Sequence, residues 1–147
     1  MCGCNSLSGN SCTTSGSSAG SLARTYIYGT DSRGSTTFTN SIVNFNTVTV
    51  NTTYGGTYNS TTGVFTATRA GFFNFTYNVN HPSGSSSGVL NIRKTGTPLT
   101  FQDLRLGHGV YVNTLTIPLS VNDTIDLYIS GSETFNMSTS IFCFYEL

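Results

Sequence analysis

Residues 71–80 read Gly-Phe-Phe-Asn-Phe-Thr-Tyr-Asn-Val-Asn, so that Phe73, Phe75, Tyr77 and Val79 recur at every second position with Asn74, Thr76 and Asn78 between them. Successive side chains of a pleated strand point to opposite faces, and this spacing puts the large apolar groups on one face and the amides and hydroxyl on the other. Gly71 reads as the tight entry to the strand. The same alternation returns at Leu115, Ile117 and Leu119 against Thr114 and Thr116, and at Ile125, Leu127 and Ile129 against Asp126 and Tyr128. About eight short runs of this kind, each bounded by Gly, Asn, Ser or Pro, predict an all-β chain of the sandwich or jelly-roll type. A chain of 147 residues suits a single such domain.

The last ten residues, STSIFCFYEL, differ from the other runs. Ile141, Cys143, Tyr145 and Leu147 share one face and Phe142 and Phe144 the other, so both faces are apolar. The outer face of each sheet in a two-sheet sandwich meets water, which leaves one apolar face needing cover that a single small domain does not supply. A second copy of the chain is the expected cover. Phe73, Phe75, Tyr77, Phe142, Phe144 and Tyr145 are accordingly expected in the core or in an interface between copies.

Residues 1–23 are dominated by Ser, Gly, Asn and Thr, which bury too little apolar surface to offset the entropy of ordering. They are expected to form a tail that is flexible or docked on a partner, followed by an extended lead-in over 24–41 and the β domain over 42–147. The start of the chain lacks the basic residues and apolar run of a secretory signal, and no stretch approaches the roughly twenty apolar residues of a membrane helix. Charged residues make up 8% of the chain and the formal net charge is zero, so it carries no electrostatic footprint for nucleic acid or an acidic membrane. Cys2, Cys4, Cys12 and Cys143 leave three pairings open, but Cys2 and Cys4 lack the spacing of a zinc knuckle or redox pair. Free thiols are the expectation, with Cys143 a small hydrophobe.

Acyl-transfer chemistry requires a nucleophile, a base and an orienting acid, and the histidines are His81, in a loop-like Asn-His-Pro-Ser-Gly, and His108, in a turn-like Leu-Gly-His-Gly. Neither stands in a recognisable motif, nor do the acids Asp31, Asp103, Asp123, Asp126, Glu133 and Glu146 form a glycosidase pair. The chain is expected not to be an enzyme and to use no cofactor. Asp123 is where a calcium site would be sought, although with Asp126 it supplies few of the six to eight oxygens that calcium takes. The loops HPSGSSSG and SGSETFNMS are expected to face outward, with His81, Ser83, Ser85, Glu133 and Asn136 offering hydrogen bonds to a ligand.

Phe45, Asn51, Tyr58, Phe65, Gly71, Phe73, Phe75 and Tyr77 follow in the order and nearly the spacing of the complement C1q-like signature. Two additional residues lie between Asn51 and Tyr58, and Phe73 stands where Tyr is usual. IPLSVNDTIDLYIS is similar to a further segment of that family, with Asn122-Asp123 in place of Gly-Asp, and STSIFCFYEL is similar to its final strand, with Phe142-Cys143 in place of Ser-Gly. From about residue 42 onward the chain thus resembles the C1q-like family, which shares its jelly roll with tumour-necrosis-factor-like proteins. The resemblance implies a homotrimer whose heads recognise ligands. With a Ser/Gly-rich start and no collagen-like stalk, the chain looks most like the short trimeric heads of phage and virus spikes and fibres. The expected function is a non-enzymatic head on a virion surface, serving host attachment or capsid decoration. Its tail would dock on a capsid, fibre or base protein, and its ligand would be a host-surface glycan or receptor. The alternative is a secreted, extracellular C1q-like recognition module; a jelly-roll hydrolase lacks the residues.

Overall fold

The computed structural model describes residues 24–82, 88–104 and 109–147. Among these the chain forms strands β1 (Tyr26–Thr30), β2 (Ser35–Ile42), β3 (Thr47–Thr52), β4 (Gly56–Asn59), β5 (Val64–Ala67), β6 (Gly71–His81), β7 (Val89–Lys94), β8 (Thr97–Pro98), β9 (Gln102–Asp103), β10 (Gly109–Leu119) and β11 (Thr124–Glu146), with no α-helix. The all-β expectation holds. One layer runs β10-β6-β11-β1-β3, every pair antiparallel. The other gathers on the first part of β11, where Ile125–Ser130 pair with β7, Thr124–Asp126 with β5, and Tyr128 and Ile129 with β2.

β11 therefore serves both layers. Its register shifts between Ile129 and Ser132 and again between Asn136 and Ile141. Gly131 lies in the first break with φ at 99°, a backbone region that glycine enters without a Cβ clash. After the second break, Ile141–Glu146 run between β6 and β1.

The alternation at 71–80 is realised as read: Phe73, Phe75, Tyr77 and Val79 are buried. They meet Phe142 and Phe144 from β11 and Phe65 from β5. Phe144 is stacked between Phe65, 4.4 Å away at 14°, and Phe75, 4.2 Å away at 16°, so one ring ties both layers together. Phe142 packs 4.9 Å from Phe45 and 4.3 Å from Tyr58, whose hydroxyl accepts from the Phe45 N–H at 3.0 Å. Gly29 makes the space for this, since a Cβ there would stand 1.9 Å from Cε1 of Phe142. The doubly apolar C-terminal run thus resolves into a core face, Phe142 and Phe144, and an outer face of half-buried Ile141 and Cys143 with exposed Tyr145 and Leu147.

Segment 24–41 is integral to this body. β1 lies between β11 and β3, with Ile27 fully buried. Glu146 fastens its start: Oε2 accepts from the Thr25 N–H at 3.0 Å, while Oε1 accepts from Arg69 Nε at 2.7 Å. The Arg69 hydrogen bond, helped by the Thr25 N–H, holds the Glu146 carboxyl below its ordinary range against the opposing effect of burial. A carboxyl whose folded-state pKa lies below its unfolded value stabilises the fold at neutral pH and loses that contribution as pH falls through the folded value. Asp31 acts in the same direction, because its hydrogen bonds from Arg33 outweigh the burial that opposes them. Stability to urea is expected to fall as pH drops below about 4.3, the usual glutamate value. Glu146→Gln should shrink that acid-dependent loss without removing it, and an unchanged pH profile would count against the clamp.

Candidate functional site

The strands of the first layer send alternate side chains away from the core, and these form a continuous outer face. In register across β10, β6, β11 and β1, the rows are Thr116, Asn74, Tyr145 and Tyr26; then Thr114, Thr76, Cys143 and Tyr28; then Val112, Asn78, Ile141 and Thr30. On β6 and β10 the rows are mostly polar: Thr76 and Thr114 share a hydroxyl hydrogen bond of 3.0 Å, and Asn74 Nδ2 donates to Thr116 Oγ1 at 3.3 Å. On β11 and β1 they are apolar and aromatic except for Thr30, with Tyr26 42% and Tyr145 39% exposed around half-buried Tyr28, Ile141 and Cys143.

Both ends extend the apolar part. Phe72, 59% exposed, joins at one end, where the Leu147 N–H donates to its carbonyl at 2.9 Å, and exposed Val110 and Val112 lie at the other. None of the twelve residues in the three rows is charged. Burial pushes the Cys143 thiol up, outweighing its contact with Tyr26, so it stays protonated at neutral pH and serves as packing surface. An exposed apolar face with polar rows beside it is the kind of surface that a protein, membrane or ligand contact covers.

The residues singled out in the sequence fall in several places. Phe73, Phe75, Tyr77, Phe142 and Phe144 lie in the core, and Tyr145 on the outer face. His81 and Glu133 do not stand on exposed loops as the sequence suggested. β6 continues through residue 81, which puts His81 on the same odd-numbered inward face as Phe73 and Val79. There its Nε2 lies 2.9 Å from Glu133 Oε2, while Glu133 Oε1 accepts from the Gly88 N–H at 2.6 Å; both side chains are buried. The imidazole packs edge-on against Phe135 and Tyr111. Asn136 is half-buried in β11, with Oδ1 accepting from Ser138 Oγ at 2.8 Å.

Ser83, Ser85, His108 and the tail 1–23 lie outside the described residues. Asp123 accepts from the Ser120 N–H at 2.7 Å and pairs with Lys94 at 2.9 Å, so its oxygens close the turn into β11. Among the described residues no group of three or more His, Cys, Asp or Glu stands close enough to hold a metal ion. The outer-face residues Tyr26, Tyr28, Phe72, Val110 and Val112 were not singled out in the sequence. The available signal was Phe72, a phenylalanine on the otherwise polar even positions of 72–80.

The sequence model of the C1q domain matches residues 28–142. No curated protein matches the chain. Among solved structures, the crystal structure of pika GITRL aligns with a TM-score of 0.62 at 10% identity, covering 84% of this chain and 95% of that one. Murine APRIL at pH 5.0 gives 0.62 at 11% identity, covering 84% and 99%. The globular domain of zebrafish complement 1qA protein gives 0.55 at 13% identity, covering 84% and 95%. At these identities the likeness establishes the jelly-roll fold.

Proposed function

The chain belongs to the C1q domain family, whose members are typically trimeric ligand-recognition modules, and from that premise we propose that it is a non-enzymatic homotrimeric head that buries the outer face of the β10-β6-β11-β1 layer between copies. The observation that carries this reading is the uncharged stripe of Tyr26, Tyr28, Ile141, Cys143 and Tyr145. Left in water it would promote unspecific association; closed threefold contact removes it. The head is displayed on a virion or fibre, where it attaches to a host or decorates the capsid. Supporting this is the Ser-, Gly-, Asn- and Thr-rich composition of residues 1–23, which suits a segment that docks on a partner such as a capsid, fibre or base protein.

Sedimentation equilibrium should return three times the chain mass at micromolar concentration, and a monodisperse monomer would overturn the trimer. Deleting residues 2–23 should leave the trimer intact and abolish incorporation into the parent particle. Normal incorporation of the deletion would remove the tail's anchoring role.

A further inference from the structure

The outer face of the second layer carries a different kind of surface. β7 gives Leu90 and Ile92 to the core, so Val89, Asn91 and Arg93 point the other way, opposite Ser130, Tyr128 and Asp126 of β11. Arg93 donates to Asp126 at 2.7 and 3.0 Å and lies 3.8 Å over the Tyr128 ring, which leaves the pair electrically neutral. Asn91 is 4% exposed. Its Nδ2 donates to the Val89 carbonyl at 3.1 Å, which fixes the orientation of the amide and turns Oδ1 away. That Oδ1 is buried and has no hydrogen-bond partner among the described residues.

A buried amide acceptor without a donor is costly, and native proteins leave few of them. Asn91 lines an open groove of about 360 Å³, a size that suits a small ligand. Pro98 and Phe101 form its far wall, and the Phe101 ring is 76% exposed.

We propose that this groove binds a neutral sugar ring. The ring's C–H face lies on Phe101, one of its hydroxyls donates to Asn91 Oδ1, and the hydroxyl of exposed Ser130 serves the groove's other side. A carboxylate or sulfate has no proton to give the orphaned acceptor at neutral pH, and the Arg93–Asp126 pair provides no net positive charge to attract any anion, phosphate included. A purely apolar ligand would leave Oδ1 unpaired. A peptide adding itself as a strand needs a free sheet edge, whereas the groove lies over a sheet face. The proposal supplies a ligand class for the recognition head described above and rests on that reading for its biological meaning, but the groove is on the layer opposite the assembly face, so the two fail separately.

The test is an NMR titration of the 15N-labelled full chain with the methyl glycosides of glucose, galactose and N-acetylglucosamine, and with inorganic phosphate as the charged probe. At least one sugar should saturably shift the Asn91 side-chain amide together with backbone signals of residues 89–93 and 128–130, with a dissociation constant on the order of 1 mM. Phe101→Ala, at an exposed position that leaves folding intact, should weaken that binding about tenfold. Asn91→Leu should abolish it while raising the urea midpoint, because it removes the orphaned acceptor. No saturable shift with any of the three sugars, a shift with phosphate alone, or full sugar affinity in Phe101→Ala would each overturn the site. A trimer without sugar shifts condemns the groove alone; sugar shifts on a monomer condemn the trimer alone.

Discussion

Phe144→Asp is expected to yield no folded chain, and Phe144→Ala a chain about 3–5 kcal/mol less stable to urea. Phe144 is the ring through which the two layers touch, stacked on Phe65 from one and Phe75 from the other. Truncation to alanine removes both contacts and leaves a void that the flanking rings, held in paired strands, fill only in part. An aspartate would add a carboxylate in a site lined by phenylalanines with no donor to pair it. Domains of this size are stable by about 5–15 kcal/mol, so the alanine variant should survive at room temperature and the aspartate variant should not. Tyr145→Asp is the contrast: one residue later and 39% exposed, it should fold with an unchanged far-UV spectrum. A soluble, cooperatively unfolding Phe144→Asp chain would mean that the central stack is misplaced.

β6, β10 and the two ends of β11 were legible because their inward-facing residues recur at every second position, and a strand with one covered face imposes that pattern on its own sequence. Residues 130–138 between those ends read as a loop, but they continue the strand and bury Phe135 and Met137. β2, read Ser-Thr-Thr-Phe-Thr-Asn-Ser-Ile, carries no such pattern. Only Phe38 in it is buried, and the strand is held by pairing with β11, where the hydroxyls of Thr37 and Thr134 lie 2.7 Å apart and those of Thr39 and Ser132 2.8 Å apart. The information that makes it a strand lies in its partner, about ninety residues away.

Distance along the chain also hid the pairing of His81 with Glu133. Beside His81 stand Pro82, Ser83 and Gly84, which read as a loop, and nothing local announces an acid 52 positions on. Asn91 is a similar case. An asparagine within Val-Leu-Asn-Ile is unremarkable until the Val89 carbonyl has taken its Nδ2 and left its Oδ1 unpaired. The C-terminal run was read correctly as apolar on both faces, but only the fold decides which face the chain covers by itself. Phe142 and Phe144 are covered from within, which transfers the need for outside cover to Ile141, Cys143 and Tyr145.

That transfer sets the second large effect, on assembly. Ile141→Asp is expected to give a folded monomer. Ile141 is half-buried, in the row between Asn78 of β6 and Thr30 of β1, on the side of β11 away from the core. In a separate chain the new carboxylate reaches water and costs little. In the trimer three such carboxylates would be desolvated within an uncharged face that offers no cation, and a penalty of about 4 kcal/mol or more weakens association roughly a thousandfold. Light scattering at micromolar concentration should therefore report a monomer, with far-UV circular dichroism and the urea midpoint close to those of a dilute parental sample. Val121→Asp is the control: it charges an exposed apolar residue in the turn between β10 and β11, outside the rows of the face, and should remain trimeric. If Ile141→Asp stays trimeric, the copies meet through another surface; if Val121→Asp also dissociates, charge in general rather than this face controls assembly.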